Sequence, residues 1–417
     1  MRRLTGLAML VAAGLPGWTQ EAADADWRGW RGPAGNGVAA AGQQPPVSWS
    51  ETQNVLWKTP VPGRGHSSPT VVGGIVALST AEDSAQVQSV VAFDRKSGAQ
   101  VWKTDVHKGG LPEKIHQKNS HATPSVVSDG ERLYAAFFNS DAVQVTALGL
   151  DGKKLWQQTA GPLKPKAYQH GYAATPVLYK GAVLVAVDSD ENGFIMGLDA
   201  KTGRPKWKTA RPPKCSFATP VVARIGSHDQ LLLSGCEAVA GFDPGTGRQL
   251  WSAADATTIA TCGTVVWLGD LVFASGGFPK AETVCVKADG SGRVVWRNPK
   301  KCYEQSLLAH EGYVYAVDDG GVALCWKAAD GTEMWSARLG GKSSASPVLA
   351  NGNLYVSGER GQTVVFAADP KGFREVARNS LGDEALATPS ICGGRIYARV
   401  TKTAGGRQEF LYCLGAP

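Results

Sequence analysis

Four of the seven histidines fall in three short segments: His66 in Arg64-Gly65-His66, His116 and His121 in the run that also holds Lys118 and Asn119, and His170 between Tyr168 and Tyr172. Imidazole titrates near neutral pH and is the commonest metal ligand. His66, His121 and His170 could therefore hold Zn²⁺, Cu²⁺ or Fe, or an anion when protonated. The same rings could instead pair backbone groups that irregular loops leave open. His66 and His121 each lie three residues before a proline, Pro69 and Pro124. A repeat would turn that shared offset into equivalent positions on neighbouring units. The ligands come from separate segments with no short metal-binding spacing. The expected role of Arg64, His66, His116, Lys118, Asn119, His121, Tyr168, His170 and Tyr172 is a ligand-binding face, with no catalytic residue among them.

The remaining reactive side chains are dispersed. Cys285, Cys325 and Cys413 occupy a slot that other copies of a repeated segment fill with Ala or Gly, and Cys392 ends an apolar run. All four read as buried hydrophobes. Cys215, Cys262 and Cys302 precede apolar runs in three successive units, and Cys236 lies between two. In an oxidising compartment one or two disulfides are expected, Cys215–Cys236 first, with free thiols or soft-metal ligands as the other reading. Asp188, Asp190 and Glu191 lie in a DSDENG run that lacks the full Ca²⁺-loop spacing and reads as cation ligands or as a solvated turn. Glu304, Asp383 and Glu384 are candidate rim carboxylates. No Ser-His-Asp order, Gly-rich phosphate loop or paired carboxylate stands in a supporting context.

A repeat positions these residues. The segment GLDAKTGRPKW (Gly197–Trp207) recurs at Ala92–Trp102, Ala147–Trp156, Gly241–Trp251, Cys285–Trp296 and Cys325–Trp335, and a seventh copy, Phe366–Val376, has Val376 in the Trp position. An apolar run leads into a Gly-containing turn and β-formers lead out, which is a hairpin. Gly98, Gly152, Gly203 and Gly247 sit four residues before the Trp, where the turn calls for positive φ. The Trp ring is large enough to wedge against the next unit. A Ser/Thr-Pro or equivalent marker precedes each hairpin, at Ser67–Val72, Ala122–Val127, Ala174–Tyr179, Ala218–Ala223, Gly263–Trp267, Ser306–His310, Ala345–Ala350 and Ala387–Cys392. Another strand separates marker from hairpin, so each unit has four: A, B, C and the Trp strand D.

Repeated four-stranded units are the blades of a propeller. The eighth unit lacks strand D, and Asn54–Val61 is a Trp strand with no hairpin before it. The expected fold is all-β, an eight-bladed β-propeller of four-stranded antiparallel blades, with the last blade closed by an N-terminal strand. Residues 1–23 read as a signal peptide, with Arg2 and Arg3 before an apolar run too short to span a membrane. Residues 24–52 form an arm anchored by Trp27 and Trp30, a strap over one face or else a flexible tether, and residues 53–417 form the propeller. The chain of 417 residues carries a net charge of +7 spread along its length, which gives no nucleic-acid stripe. The mature chain is expected to be periplasmic or secreted, without a membrane span, and monomeric.

The A-x-D-x-x-x-G-x-x-x-W unit after a Ser/Thr-Pro strand resembles the pyrroloquinoline-quinone (PQQ) repeat, or tryptophan-docking motif, of PQQ-like eight-bladed propellers, from about Asn54 to Gly415. That family includes quinoprotein alcohol dehydrogenases and BamB-type outer-membrane assembly lipoproteins. For the former, the resemblance implies two adjacent cysteines in a ring disulfide and a Ca²⁺ site of Glu, Asn and Asp. No Cys-Cys dipeptide occurs here, and no Cys precedes Cys215 to serve as the lipid-bearing residue of the latter. The resulting expectation is a non-catalytic exported propeller, without cofactor, that binds a protein or glycan of the cell envelope through the His-rich face. The alternative is a quinone- or metal-dependent oxidoreductase that uses PQQ or a transition metal at His66, His121 and His170.

Overall fold

The computed structural model describes residues 26–416, and the leader expected over residues 1–23 lies outside the described residues. Eight four-stranded antiparallel sheets follow one another in chain order. Blade one comprises Thr70–Val72, Ile75–Glu82, Val87–Asp94 and Gln100–Lys108, from inner strand A to outer strand D. Blade eight comprises Ser390–Cys392, Arg395–Lys402 and Gln408–Leu414, completed by Val55–Val61. In that last blade Trp57 pairs with Cys413, and Val61 with Glu409. The ring thus closes by strand pairing between the two ends of the chain, which leaves no sheet open at the junction.

The repeat has a simple steric basis. In each Trp-bearing blade the Trp of strand D pairs with the small residue of strand C: Ala92 with Trp102, Gly197 with Trp207, Cys285 with Trp296, Cys325 with Trp335. The cysteines in this slot are fully buried. The Trp edge then reaches the C–D turn of the next blade. Trp57 Nε1 donates to Arg95 O at 3.2 Å, Trp102 to Leu150 O at 2.9 Å and Trp156 to Ala200 O at 3.0 Å. The turn glycine lies against the incoming ring: a Cβ on Gly98 would stand 2.5 Å from the Trp57 indole. Blade four differs, because Trp251 Nε1 donates to Gln230 Oε1 at 2.7 Å and Gln230 Nε2 relays to Ala288 O of blade five at 3.1 Å.

Blade seven corrects the sequence alignment. Its C–D register pairs Val365 with Ala377, so Ala377 and not Val376 stands in the Trp position, after a longer turn. Phe373 of that turn packs on Trp335 of blade six, ring centroids 5.8 Å apart. The ring missing from blade seven comes from the arm. Trp49 stacks on Tyr355 of strand B at 6.3 Å and 9°, where other blades place their own Trp beside the strand B aromatic, as Trp57 on Tyr397 and Trp335 on Tyr315.

The arm is a strap. Trp27 exchanges two 2.9 Å backbone bonds with Val71 of blade one, Ser128 N of blade two donates to Arg28 O, and Ala39 and Gly37 bracket Leu349 of blade seven. Trp30 Nε1 donates to Thr264 Oγ1 of blade five at 2.8 Å, and the buried Arg31 guanidinium donates to Leu307 O of blade six at 2.6 Å. Contacts with inner strands all round the ring carry the arm across one end of the central channel.

Candidate functional site

Loops that enter strand A and loops that join B to C share the other face, as the bridges Arg64 with Ala81, Ala260 with Phe278 and Glu384 with Thr401 show. On this entry face the marker hydroxyls clamp neighbouring blades. Ser68 N donates to Ser125 Oγ, Ser125 N to Thr175 Oγ1 and Thr175 N to Thr219 Oγ1. A second arc runs from Thr264 N to Ser306 Oγ, Ser306 N to Ser346 Oγ and Ser346 N to Thr388 Oγ1. Of these residues Ser125, Thr175, Thr219 and Thr388 line a cavity of about 180 Å³, together with Trp30, His66, His170, Phe217 and Tyr303 among others. Trp30 also walls a crevice beneath the arm, so it separates the mouth from the far end of the channel.

A charged bridge crosses the mouth. Lys118, from the loop entering blade two, donates to Glu359 Oε1 at 2.8 Å and to Glu304 Oε1 at 3.3 Å, residues carried by blades seven and six. The single hydroxyl proton of Ser344 is shared between Glu359 Oε1, at 2.8 Å, and Glu304 Oε2. Burial pulls the ammonium pKa of Lys118 down, but the two carboxylates outweigh it and hold the pKa above its ordinary value. Burial likewise opposes ionisation of Glu359, and Lys118 and Ser344 overcome it. Above the bridge rises an aromatic ridge. His116 and His170 meet edge-on at 4.8 Å, His170 lies 5.7 Å from Tyr168 and 5.5 Å from Phe217, and Tyr168 meets Phe278 at 5.7 Å. Phe278 is 46% exposed.

The structure sorts the residues singled out in the sequence. His66, His116, Lys118, Asn119 and His170 line the cavity. Arg64 stands behind them, its Nη2 donating to Gln117 O and Asn119 O at 3.2 and 3.0 Å, and so shapes the loop. Asn119 ties its loop to the next through His170 O. Tyr168 belongs to the ridge. Tyr172 does not belong to the face: its ring is buried, and its hydroxyl donates to Ala186 O at 3.0 Å within blade three.

His66 and His121 are not equivalent. Blade two begins its inner strand two residues later relative to its proline, since Val127 pairs with Tyr134 as Thr70 pairs with Ala77. The counterpart of His66 is Thr123. The metal triad is likewise not assembled: His121 Nε2 faces Asp83 at 3.9 Å, and His170 packs on His116. Burial, reinforced by Arg64, Arg399 and Arg407, holds the His66 pKa well below its ordinary range, and its Nε2 is buried without a partner. Burial also lowers His121, against Asp83, and lowers His170 with help from His116.

The expected Cys215–Cys236 disulfide is absent, and all eight cysteines are free. The two sulfurs face different partners, Cys215 Sγ toward Tyr168 O at 3.8 Å and Cys236 Sγ toward Lys214 O at 3.1 Å. Burial pushes the Cys215 thiol up to about 12. The acidic run is no cation loop. Asp188 is buried in a pair with Arg211, Nε to Oδ1 2.5 Å, Asp190 caps the backbone N–H of Lys166, and Glu191 pairs with the Lys166 side chain. Asp383 and Glu384 are taken up by Thr403 and Arg407, and neither lines the cavity. Among the described residues no group of three or more His, Cys, Asp or Glu is placed to hold a metal. A Ca²⁺-bound quinone under a ring disulfide does not fit these residues: the cysteines are apart, and both mouth carboxylates are engaged by Lys118. Phe217, Tyr303, Ser344, Glu359 and Phe278 were missed in the sequence, because each sits in a loop without a repeated signature.

The described residues form a sealed eight-bladed propeller, strapped across one channel end and presenting a polar, aromatic-rimmed mouth at the other. The family model described as outer membrane protein assembly factor BamB matches residues 86–337, 280–375 and 328–406. The chain belongs to that family. It is 25% identical over 366 residues to the outer membrane protein assembly factor BamB of Burkholderia pseudomallei (strain K96243), covering 82% of this chain and 84% of the relative. Among solved structures it resembles BamB from Moraxella catarrhalis, at a TM-score of 0.60 and 15% identity over 86% of this chain and 96% of that one. It also resembles a europium-containing methanol dehydrogenase, at 0.64 and 12% over 94% and 98%. At these identities the structural likeness speaks for the fold alone.

Proposed function

We propose that the protein is a non-catalytic scaffold of the cell envelope that binds a protein partner through the entry face. The observation that carries this reading is the ridge Phe278–Tyr168–His170–His116, a run of packed rings ending in a half-exposed Phe beside polar loops. Aromatic anchors with a polar surround are the usual make-up of an interface hot spot. Family relatives are named as outer membrane protein assembly factors, which favours a protein over a glycan as the main partner and an envelope location for this chain. No helix among the described residues is long and apolar enough to cross a membrane. The mouth favours binding over redox catalysis, because a Ca²⁺ ion for a quinone cofactor would compete with Lys118 for both carboxylates.

A photo-crosslinking residue at position 278, in cells, tests the reading. The expected result is one protein adduct, lost when Tyr168 and His170 are both changed to Ala and absent from a probe at Leu155 on an outer strand. Equal adducts from both positions, or steady oxidation of alcohols or sugars by the purified chain with added PQQ and Ca²⁺, would overturn it.

A further inference from the structure

We infer that the cavity inside the mouth is a binding site for one neutral pyranose ring, either a free sugar or the terminal residue of a glycan. This inference goes beyond the protein-partner reading: the ridge shares His116 and His170 with the cavity wall, but its anchors Tyr168 and Phe278 lie outside the lining.

Three observations carry it. The first is size and shape. At about 180 Å³, closed below by Trp30, the cavity is smaller than the roughly 300–1,000 Å³ of a typical cofactor or drug pocket. It suits a single small ring.

The second is charge. In the cavity wall the carboxylate of Glu304 is balanced by the ammonium of Lys118, which Glu359 holds from outside the lining. An anion would meet the Glu304 carboxylate, and a cation would meet the Lys118 ammonium. A neutral molecule rich in hydroxyls does neither. Its O–H groups donate to carboxylate lone pairs that Lys118 and Ser344 leave open, since an ionised carboxyl accepts at several positions.

The third is an excess of unmatched hydrogen-bonding capacity. Ser125, Thr175, Thr219 and Thr388 each accept a backbone N–H or line the wall, and their own hydroxyl protons remain to donate into the cavity. His66 Nε2 is buried beside the cavity with no partner, on a ring kept neutral, so it gives or accepts one bond according to its tautomer. Aromatic rings of His170, Phe217, Tyr303 and Trp30 stand between these polar groups. A pyranose matches this alternation, with C–H groups on its faces and hydroxyls round its edge. A buried polar site of this kind discriminates strongly against ligands that leave its groups unpaired.

Calorimetric titration of the whole mature chain with D-glucose, D-galactose and N-acetyl-D-glucosamine tests the inference. The expected result is one-to-one saturable binding of at least one of them, with Kd on the order of 1 mM, a free energy near −4 kcal/mol. Glu304→Gln should weaken it tenfold or more with an unchanged melting midpoint, and Phe217→Ala tenfold or more with a lowered one, since that ring is buried. Should Phe217→Ala fail to fold, Ser344→Ala, which removes only a hydroxyl, should weaken it at least threefold. Tighter binding of a disaccharide than of its terminal monosaccharide would identify a glycan end, and equal binding a free sugar. Absence of saturable heat with all three sugars, full retention of affinity in Glu304→Gln, or binding of methylammonium in place of any sugar would overturn the inference. The crosslinking result at Phe278 would stand in each of those cases.

Discussion

The seams on either side of blade eight are built from different parts. Between blades eight and one, Trp57 lies on the C–D turn of blade one, against Gly98 and hydrogen-bonded to Arg95 O. Arg399 and Glu409, both 2% exposed, pair beneath it, and Arg399 Nη1 reaches Ser79 O of blade one at 2.8 Å. Between blades seven and eight there is no such turn to receive a ring, because strands C and D of blade eight come from opposite ends of the chain. Blade seven accordingly carries Ala377 in the Trp position, and Trp49 of the arm covers Tyr355 instead. The repeated Trp is therefore a relation between one blade and the turn of the next. Where the turn is missing the ring has nothing to dock on, and another segment fills the core.

Substitutions at the two seams break or sharpen that contrast. Trp57→Ala removes a buried ring, a hydrogen bond and the closing contact, and is expected to cost about 3–5 kcal/mol, read by denaturant titration. Trp49→Ala should cost nearly as much, about 3 kcal/mol, if the arm ring stands in for the missing one. A loss below about 1 kcal/mol would show Trp49 to be a surface ornament. Gly98→Ala places a Cβ 2.5 Å from the Trp57 indole at φ +75° and should destabilise by about 1–3 kcal/mol.

The first seam should also be pH-sensitive. His66, set among Arg64, Arg399 and Arg407, has a folded pKa below its unfolded value of about 6.5. Its contribution is complete above that pH. As pH falls below it, the unfolded chain takes up a proton that the native ring refuses, and stability declines toward the folded pKa. The melting midpoint should drop between pH 7 and pH 5, and less steeply in His66→Gln. The smallest effect belongs to the other seam. Gly372→Ala in the blade-seven turn meets no atom within 4 Å and should change stability by less than about 0.5 kcal/mol.

These seams also show how much could be read in advance. The eight blades and the terminal closure follow from the markers, the Gly-to-Trp spacing and the lone Trp57 strand, and the structure agrees. The alignment slipped where the local pattern was imperfect. The blade-seven turn is longer than its copies, so counting from Gly372 lands on Val376. Pro124 sits two residues early, so His121 looked like a partner of His66. Tyr172, polar by type and flanked by loop residues, lies in the core because a single buried acceptor, Ala186 O, satisfies its hydroxyl.

The chain's sequence fixes its architecture because each rule is short-range. A small residue, a turn glycine and a Trp within a dozen positions specify one hairpin and the blade it must meet, and six such hairpins, a seventh without the Trp and the split eighth blade leave one closed ring. The mouth obeys no such rule. Lys118 lies 186 residues from Glu304 and 241 from Glu359, and only closure of the ring places them within hydrogen-bonding distance. Their partnership depends on the radius of the disc and the path of three unrelated loops, which no spacing along the chain encodes.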